Sequence, residues 1–401
     1  MTIGLIVPIV NPYFFMQLSH CLGKNTIIPP SRQGSGEQGS NTIAVAMSGG
    51  VDSSVAAALL KEQGFKVVGF FMKNWADTYG LKDSECPWVQ DREDAMRAAA
   101  KLDIPFHTLD FEKEYKEQVL DYFFREYQAG RTPNPDVMCN SQIKFGVFLG
   151  KAIELGADMI ATGHYARLRR EGQLPAVSCQ LLKGRDQNKD QSYFLYRLNQ
   201  EQLLKSIFPI GELEKPKVRE LAKKFSLPNH DKRDSQGVCF VGHLDLQKFL
   251  KQKIKEQPGD IVTAGGKKVG EHEGLFWYTI GQRKGIKVGG VGPFYVVKKD
   301  FEKNELVVSN NHEDERLYSK EATIEDVHWI DRSCVARNAT ADVFRCEARM
   351  RYREPLSVCE VKKAGEGQYR IAFKDPQWAV ASGQSIVLYD KDVCLGGGIV
   401  V

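Results

Sequence analysis

Between Thr42 and His164 the chain alternates short apolar runs with stretches of helical periodicity. Ile43-Ala44-Val45-Ala46-Met47 is apolar throughout, as a parallel strand buried on both faces should be. Ser48-Gly49-Gly50-Val51-Asp52-Ser53 follows, and then Val55, Leu59 and Leu60 recur at helical spacing until Gly64 supplies a stop. The pattern predicts further strands at Lys66–Met72, Ile104–Phe111 and Ala157–His164, with helices over Val89–Leu102, Glu112–Ala129 and Ser141–Leu155. Gln191–Ser226 reads as helical. Strands alternating with helices predict a Rossmann-like α/β fold, a parallel sheet covered on both faces that takes its ligand at the strands' carboxyl ends. Ser48–Ser53, Met72 and Gly163-His164 all fall at that rim.

Beyond about Gly242 the texture changes. "PGDIVTAGGKKVGEHEGLFWYTIGQRKGIKVGG" has glycines every few residues among alternating apolar positions, which predicts short strands and tight turns. From about Tyr318 alternation runs throughout, as in "VFRCEARMRYREPLSVCEVKK", and predicts a small β-barrel. The domain plan is therefore an extension over 1–41, an α/β domain over 42–241, a small central module over 242–316 and a β-barrel over 317–401.

Composition narrows the class. The 401 residues are 42% hydrophobic and 26% charged, the balance of an ordinary globular protein. A net charge of +4 permits a polyanionic partner without demanding one. No apolar run approaches the roughly 20 residues that a membrane span needs, so no membrane partner is expected. Nine cysteines with no C-x-x-C pair argue against a secreted disulfide framework, a zinc site or a tightly bound cluster. Residues 1–41 lack the basic start of a secretory signal and are poor in acidic residues. Their Gly/Ser/Gln-rich end reads as a linker, and the segment as a targeting or disordered extension or an upstream start codon.

Three segments carry candidate chemistry. At Ser48–Ser53 a glycine-rich turn joins a strand to a helix, where backbone N–H groups and the helix dipole hold an anion. No lysine follows Gly50 before Lys61, which excludes the usual ATPase loop, and no G-x-G-x-x-G is present. Ser-Gly-Gly-Val-Asp-Ser instead resembles the pyrophosphate loop of the ATP-pyrophosphatase superfamily, enzymes that cleave ATP between the α- and β-phosphates. In "GRTPNPDVMCNSQIKF" two prolines lead into a helix, with Asp136 three residues before Cys139, so carboxylate and thiol share one helix start. A thiol so placed is activated towards thiolate, although a packed core cysteine gives the same local pattern. In "DSQGVCFVG" Cys239 follows a flexible Gly237, and alone it reads equally as a core cysteine in an apolar strand.

Taken in order, "AMSGGVDSSVAA", "FFMKNW", "GRTPNPDVMCN", "ATGHYAR", "KDQSYFL", "DSQGVCFVG", "YTIGQRKGI" and "SGQSIVLY" resemble the tRNA-specific 2-thiouridylases from Thr42 to the C-terminus. The wording of "KNW" and the N-terminal extension are closer to organellar members, which implies a mitochondrial location, with cytoplasm or plastid as alternatives. The resemblance implies ATP-dependent replacement of O2 by sulfur in the wobble uridine of tRNAs for Lys, Glu and Gln. By resemblance Ala46, Met47, Ser48, Gly49, Gly50, Val51, Asp52, Ser53, Met72 and Gly163 hold ATP with Mg²⁺. Asn134, Pro135 and Asp136 face the target base, with Asp136 as acid/base. Cys139 matches the nucleophile or resolving thiol, and Cys239 the carrier of the persulfide, the two forming a transient disulfide. His164, Lys189, Asp190, Gln191, Arg351, Tyr352 and Gln384 match positions that contact tRNA. The partners implied are tRNA and a persulfide donor, a cysteine desulfurase or sulfur-relay protein. Lys and Arg of "GQRKGIK", with Arg349, Arg351 and Arg353, are further candidates for the RNA backbone. The competing readings are an ATP-pyrophosphatase acting on another substrate, a non-catalytic tRNA-binding protein on this fold, and a thiol oxidoreductase. The last leaves the ATP loop unexplained.

Overall fold

The computed structural model describes residues 41–75, 87–171, 177–234, 254–286, 288, 293–331, 339–340 and 343–401. The chain divides into two units, Met1–Tyr115 with Asn140–Gln236, and Lys116–Cys139 with Gly237–Val401.

The first unit is built on a parallel sheet. Strands β1 (Thr42–Ala46), β2 (Lys66–Lys73), β3 (Phe106–Asp110), β4 (Met159–Thr162) and β7 (Ser206–Ile207) lie in the order β3-β2-β1-β4-β7. Between β4 and β7 the chain forms an antiparallel hairpin of β5 (Ala166–Glu171) and β6 (Ser178–Lys183). The chain grows outward from β1 through β2 to β3, then returns to β1's other side as β4. In open α/β sheets such a reversal is where ligands bind, here at the carboxyl end of β1. Helix α1 (Val51–Glu62) buries Val51, Val55, Ala56, Ala57 and Leu60 in one core with Ile43, Val45 and Val67. It ends where Gly64 takes φ +86°, a conformation glycine adopts without strain. Helix α2 (Pro87–Lys101) sets Ala95, Ala98 and Ala99 on the same core, and α3 (Lys215–Lys224) adds Val218 and Ala222.

Two expectations change here. Gln191–Ser226 is not one helical run. It holds a short 3₁₀ turn, the helix Gln200–Leu204, the edge strand β7 and α3. The expected helices at 112–129 and 141–155 form but are interrupted by π-type stretches at Lys116–Leu120 and Cys139–Val147. Wide turns of this kind, with i→i+5 hydrogen bonding, shift the side-chain register along the helix.

The second unit contains two β structures. In the central one, β8 (Gly259–Thr263), β9 (Lys268–His272), β10 (Tyr295–Asp300) and β11 (Glu305–Ser309) lie in the order β10-β11-β8-β9, with only β11–β8 parallel. The C-terminal one runs β12 (Tyr318–Trp329), β16 (Gln368–Trp378), β15 (Ser357–Gly365), β14 (Val343–Arg349), β17 (Ser385–Asp390) and β18 (Val393–Val400). It closes by β12–β18 pairing, and the short β13 (Ala339–Thr340) lies on β14. Alternate positions, among them Phe344, Cys346, Ala348, Val361, Ile371, Phe373 and Leu388, fill the interior of this six-stranded barrel. The α/β, central and barrel order is the one the residue pattern predicts.

Candidate active site

The loop after β1 is shaped by glycines and held by serines. Gly49 has φ +78°, and a Cβ there would lie 2.1 Å from the Asp91 carbonyl oxygen of α2, so only glycine fits. Ser53 Oγ accepts from the Ser48 amide at 3.2 Å and lies 3.2 Å from the Gly50 carbonyl oxygen, to which it donates. Asn229 Nδ2 donates to the Gly49 carbonyl at 2.9 Å and to Ser54 Oγ at 3.0 Å. Gly163, just past β4, packs so closely that a Cβ would lie 2.6 Å from the Ser53 nitrogen. Ser48 is exposed at the loop's tip, and α1, twelve residues long, starts directly behind it. Such a helix start favours an anion. Met72 lies half-buried near the carboxyl end of β2, beside the loop's strand.

A lattice of charge adjoins the loop. Asp52 accepts from Tyr165 Oη at 2.8 Å and from Lys215 Nζ at 2.8 and 2.9 Å. The same Nζ is 2.7 Å from Asp234 Oδ1, which also accepts from Arg219 at 2.9 Å, while Lys189 Nζ donates to Asp234 Oδ2. Burial alone would raise the Asp234 pKa, but hydrogen bonds from Lys189 and Lys215 hold it down to about 2. Burial, with Asp52 alongside, pushes the Tyr165 phenol far above its usual range, so it stays a donor. Lys232 joins the first turns of α2 to this region through Asp91 at 2.7 Å and Asp94 at 2.6 Å. Three cations, Lys189, Lys215 and Arg219, thus converge on one carboxylate beside the glycine-rich loop.

Three other expected positions in this unit, His164, Asp190 and Gln191, make hydrogen bonds within it. Asp190 is buried, its Oδ1 accepting from the amides of Gly184 and Ser192 at 2.9 and 3.1 Å. Gln191 Oε1 accepts from the Tyr165 amide at 2.9 Å. His164 is buried with Nδ1 2.7 Å from Thr162 Oγ1. Burial first, then the Lys144 charge, drives its pKa well below the usual value and keeps the ring neutral.

In the second unit, Asn134 caps the helix Pro135–Met138 by accepting from the Val137 amide at 3.4 Å, with Pro135 at the first turn. Asp136 is half-buried there, and Cys139 follows one turn on, 1% exposed. Gln384 Nε2 donates to the Thr132 carbonyl at 2.7 Å. Arg351 donates to the Ala379 carbonyl at 2.7 Å, its guanidinium 5.2 Å from the Trp378 ring centre. Tyr352 is half-buried beside it, and the exposed Arg353 stacks 5.0 Å over the Tyr352 ring. Cys239 lies outside the described residues, as do residues 1–40.

Three family models cover the chain: a tRNA methyl transferase HUP domain over residues 41–243, a tRNA methyl transferase PRC-barrel domain over 247–310, and an aminomethyltransferase β-barrel domain over 319–400. The chain is 48% identical over 359 residues to the tRNA-specific 2-thiouridylase MnmA of Bacillus pumilus, covering 89% of this chain and 94% of that protein. It is 47% identical over 363 residues to the enzyme of the same name from Methylobacillus flagellatus, covering 89% and 98%. The chain belongs to the tRNA-specific 2-thiouridylase family. A solved 4-thiouridine synthetase–RNA complex with bound ATP aligns at a TM-score of 0.32 and 16% identity, over 53% of this chain and 50% of that one. That likeness is too low to carry an inference.

Within this 2-thiouridylase fold, Lys215, Tyr165 and Asn229 adjoin the loop although no sequence motif singled them out. Tyr165 directly follows His164 in "ATGHYAR", a placement that could have flagged it. Lys215 and Asn229 carried no such signal. A lysine opening an amphipathic helix and an asparagine in a turn are ordinary surface residues by pattern. Among the described residues no group of three His, Cys, Asp or Glu side chains could hold a metal ion.

Proposed function

We propose that the chain is an ATP-dependent tRNA uridine 2-sulfurtransferase acting on the wobble base. The observation that carries this reading is the cation-lined glycine loop at the end of β1, in a chain of this family whose Asp136 and Cys139 share one helix start. The triphosphate would lie on the Ser48–Ser53 loop, with Lys215, Lys189 and Arg219 within reach of its charge. Asp52, in the first turn of α1 and partly exposed, is the carboxylate suited to Mg²⁺. Bound with the nucleotide, that ion would supply neutralisation of charge on the pyrophosphate.

The chemistry follows from the poor reactivity of a uracil carbonyl. O2 attacks the α-phosphorus, pyrophosphate leaves, and Asp136 takes the proton lost from N3. Cys139 thiolate attacks a persulfide on Cys239, releasing hydrosulfide and leaving a Cys139–Cys239 disulfide. Hydrosulfide adds at C2 and AMP departs with the former O2, giving 2-thiouridine. A thiol reductant returns the two electrons. The base must leave the anticodon stack to react, so backbone and shape contacts from Arg351, Arg353 and their neighbours would carry recognition.

Unmodified tRNA for Lys, Glu or Gln, Mg-ATP and a persulfide donor test the reading, with digested nucleosides resolved by mass spectrometry. Wild type should form 2-thiouridine only with ATP, and Cys139→Ser should form none while binding ATP normally. ATP-independent product, or full activity in Cys139→Ser, would overturn it.

A further inference from the structure

The loop that leads to Asp136 and Cys139 is gripped from two sides within the second unit. From the barrel, the Ser382 carbonyl accepts the Thr132 amide at 2.9 Å, and Gln384 Nε2 returns a bond to the Thr132 carbonyl at 2.7 Å. Thr132 is thereby paired like a residue in a strand. Gly383, at φ +89°, allows this, because a Cβ there would lie 2.7 Å from the Thr132 nitrogen. From the central module, Lys299 Nζ bonds the carbonyls of Gly130 at 2.5 Å and Tyr278 at 3.0 Å. Thr279 Oγ1 meets Thr132 Oγ1 at 2.9 Å. The Phe301 ring lies against Gly130, whose φ is +74° and where a Cβ would fall 2.1 Å from Cζ. Arg351 ties the two gripping elements together, reaching Ile280 at 3.4 Å and Ala379 at 2.7 Å.

These contacts join "GRTPNPDVMCN", "YTIGQRKGI" and "SGQSIVLY", segments 100 to 250 residues apart in the chain, at one point. A lysine ammonium spent on two main-chain carbonyls is costly to bury. Its effect falls on the Gly130–Thr132 backbone, four residues before Asp136. We propose that Lys299 and Gln384 are positioning residues for the reaction, clamping this loop so that Asp136 and Cys139 are presented in one geometry. The proposal rests on the 2-sulfurtransferase reading for its chemistry but not for its geometry. Displacement of reacting groups by even 1 Å costs on the order of 100-fold in rate.

The full chain is tested as wild type, Lys299→Met and Gln384→Met, which keep bulk but remove the donors. Hydrogen exchange at the Thr132 amide should quicken about ten-fold or more in both variants, the loss of one net hydrogen bond. The single-turnover thiolation rate with saturating tRNA should fall roughly 10- to 100-fold. The KM for tRNA should hold in Lys299→Met. Unchanged exchange, or a thiolation loss that appears wholly in KM for Lys299→Met, would overturn the clamp. Should Lys299→Met fold poorly, Thr279→Val removes one side of the grip more gently and is expected to quicken the same amide. If wild type makes no thionucleoside, the reading of the reaction fails, while the exchange comparison still decides the clamp.

Discussion

Lys215 is the residue on which the first unit's chemistry converges. Its side chain is about nine-tenths buried, with the carboxylates of Asp52 and Asp234 at 2.8 and 2.7 Å from the ammonium. A lysine so enclosed has surrendered most of its hydration and is held by charge-assisted bonds on both sides. A triphosphate on the neighbouring loop offers it a third anion at no further desolvation cost. Lys215→Met is therefore expected to weaken ATP binding by roughly 10- to 100-fold, the value of one or two charged hydrogen bonds. Isothermal titration with ATP checks this. Unaltered affinity would confine Lys215 to tying Asp52 to Asp234.

The elements around this residue were unequally legible. The strand, turn and helix from Thr42 to Glu62 could be read because a doubly covered parallel strand must be apolar throughout and a φ of +78° against a backbone oxygen demands glycine. The hairpin Ala166–Lys183 escaped notice because its arginines and its lysine mask the alternation. Over 191–226 four short elements share an apolar spacing that helices also satisfy, so periodicity could not separate them. The charged lattice was illegible for a different reason. Lys215 and Asp52 stand 163 positions apart, and no local pattern distinguishes their pairing from two solvated side chains. Gly163 sits between these cases, visible as a motif glycine but with its purpose shown only by the fold. Gly163→Ala would drive a methyl group into the Ser53 amide, displacing the start of α1 rather than the sheet core. ATP affinity should fall sharply, while stability drops by only about 1–3 kcal/mol, the usual cost of overpacking. A urea titration beside the ATP titration separates the two, and intact ATP binding would show that the loop can yield.

At the scale of the molecule, one carboxyl of the first unit and one ammonium of the second have depressed pKa values, and they make stability respond to pH at opposite ends of the scale. In the first, the Asp234 pKa of about 2 lies below its ordinary value of 3.8. A depressed carboxyl contributes stability above the unfolded value, and that contribution drains away as pH falls towards 2. In the second, burial pushes the Lys299 ammonium from 10.5 down to about 8. The unfolded chain then holds the proton more tightly than the folded one between these values. Folding therefore gains as pH rises from 8 to 10.5, by about 3 kcal/mol over the whole window at 1.36 kcal/mol per pKa unit. Calorimetry of the full chain reads the Lys299 contribution when wild type is compared with a variant that lacks the ammonium. The unfolding temperature should climb between pH 8 and pH 10 in wild type relative to Lys299→Met, which has no proton to lose. Parallel curves for the two proteins would mean that Lys299 is ordinary in its ionisation. A steeper wild-type curve would show that the contact holding the Gly130–Thr132 loop carries a charge the second unit is strained to keep.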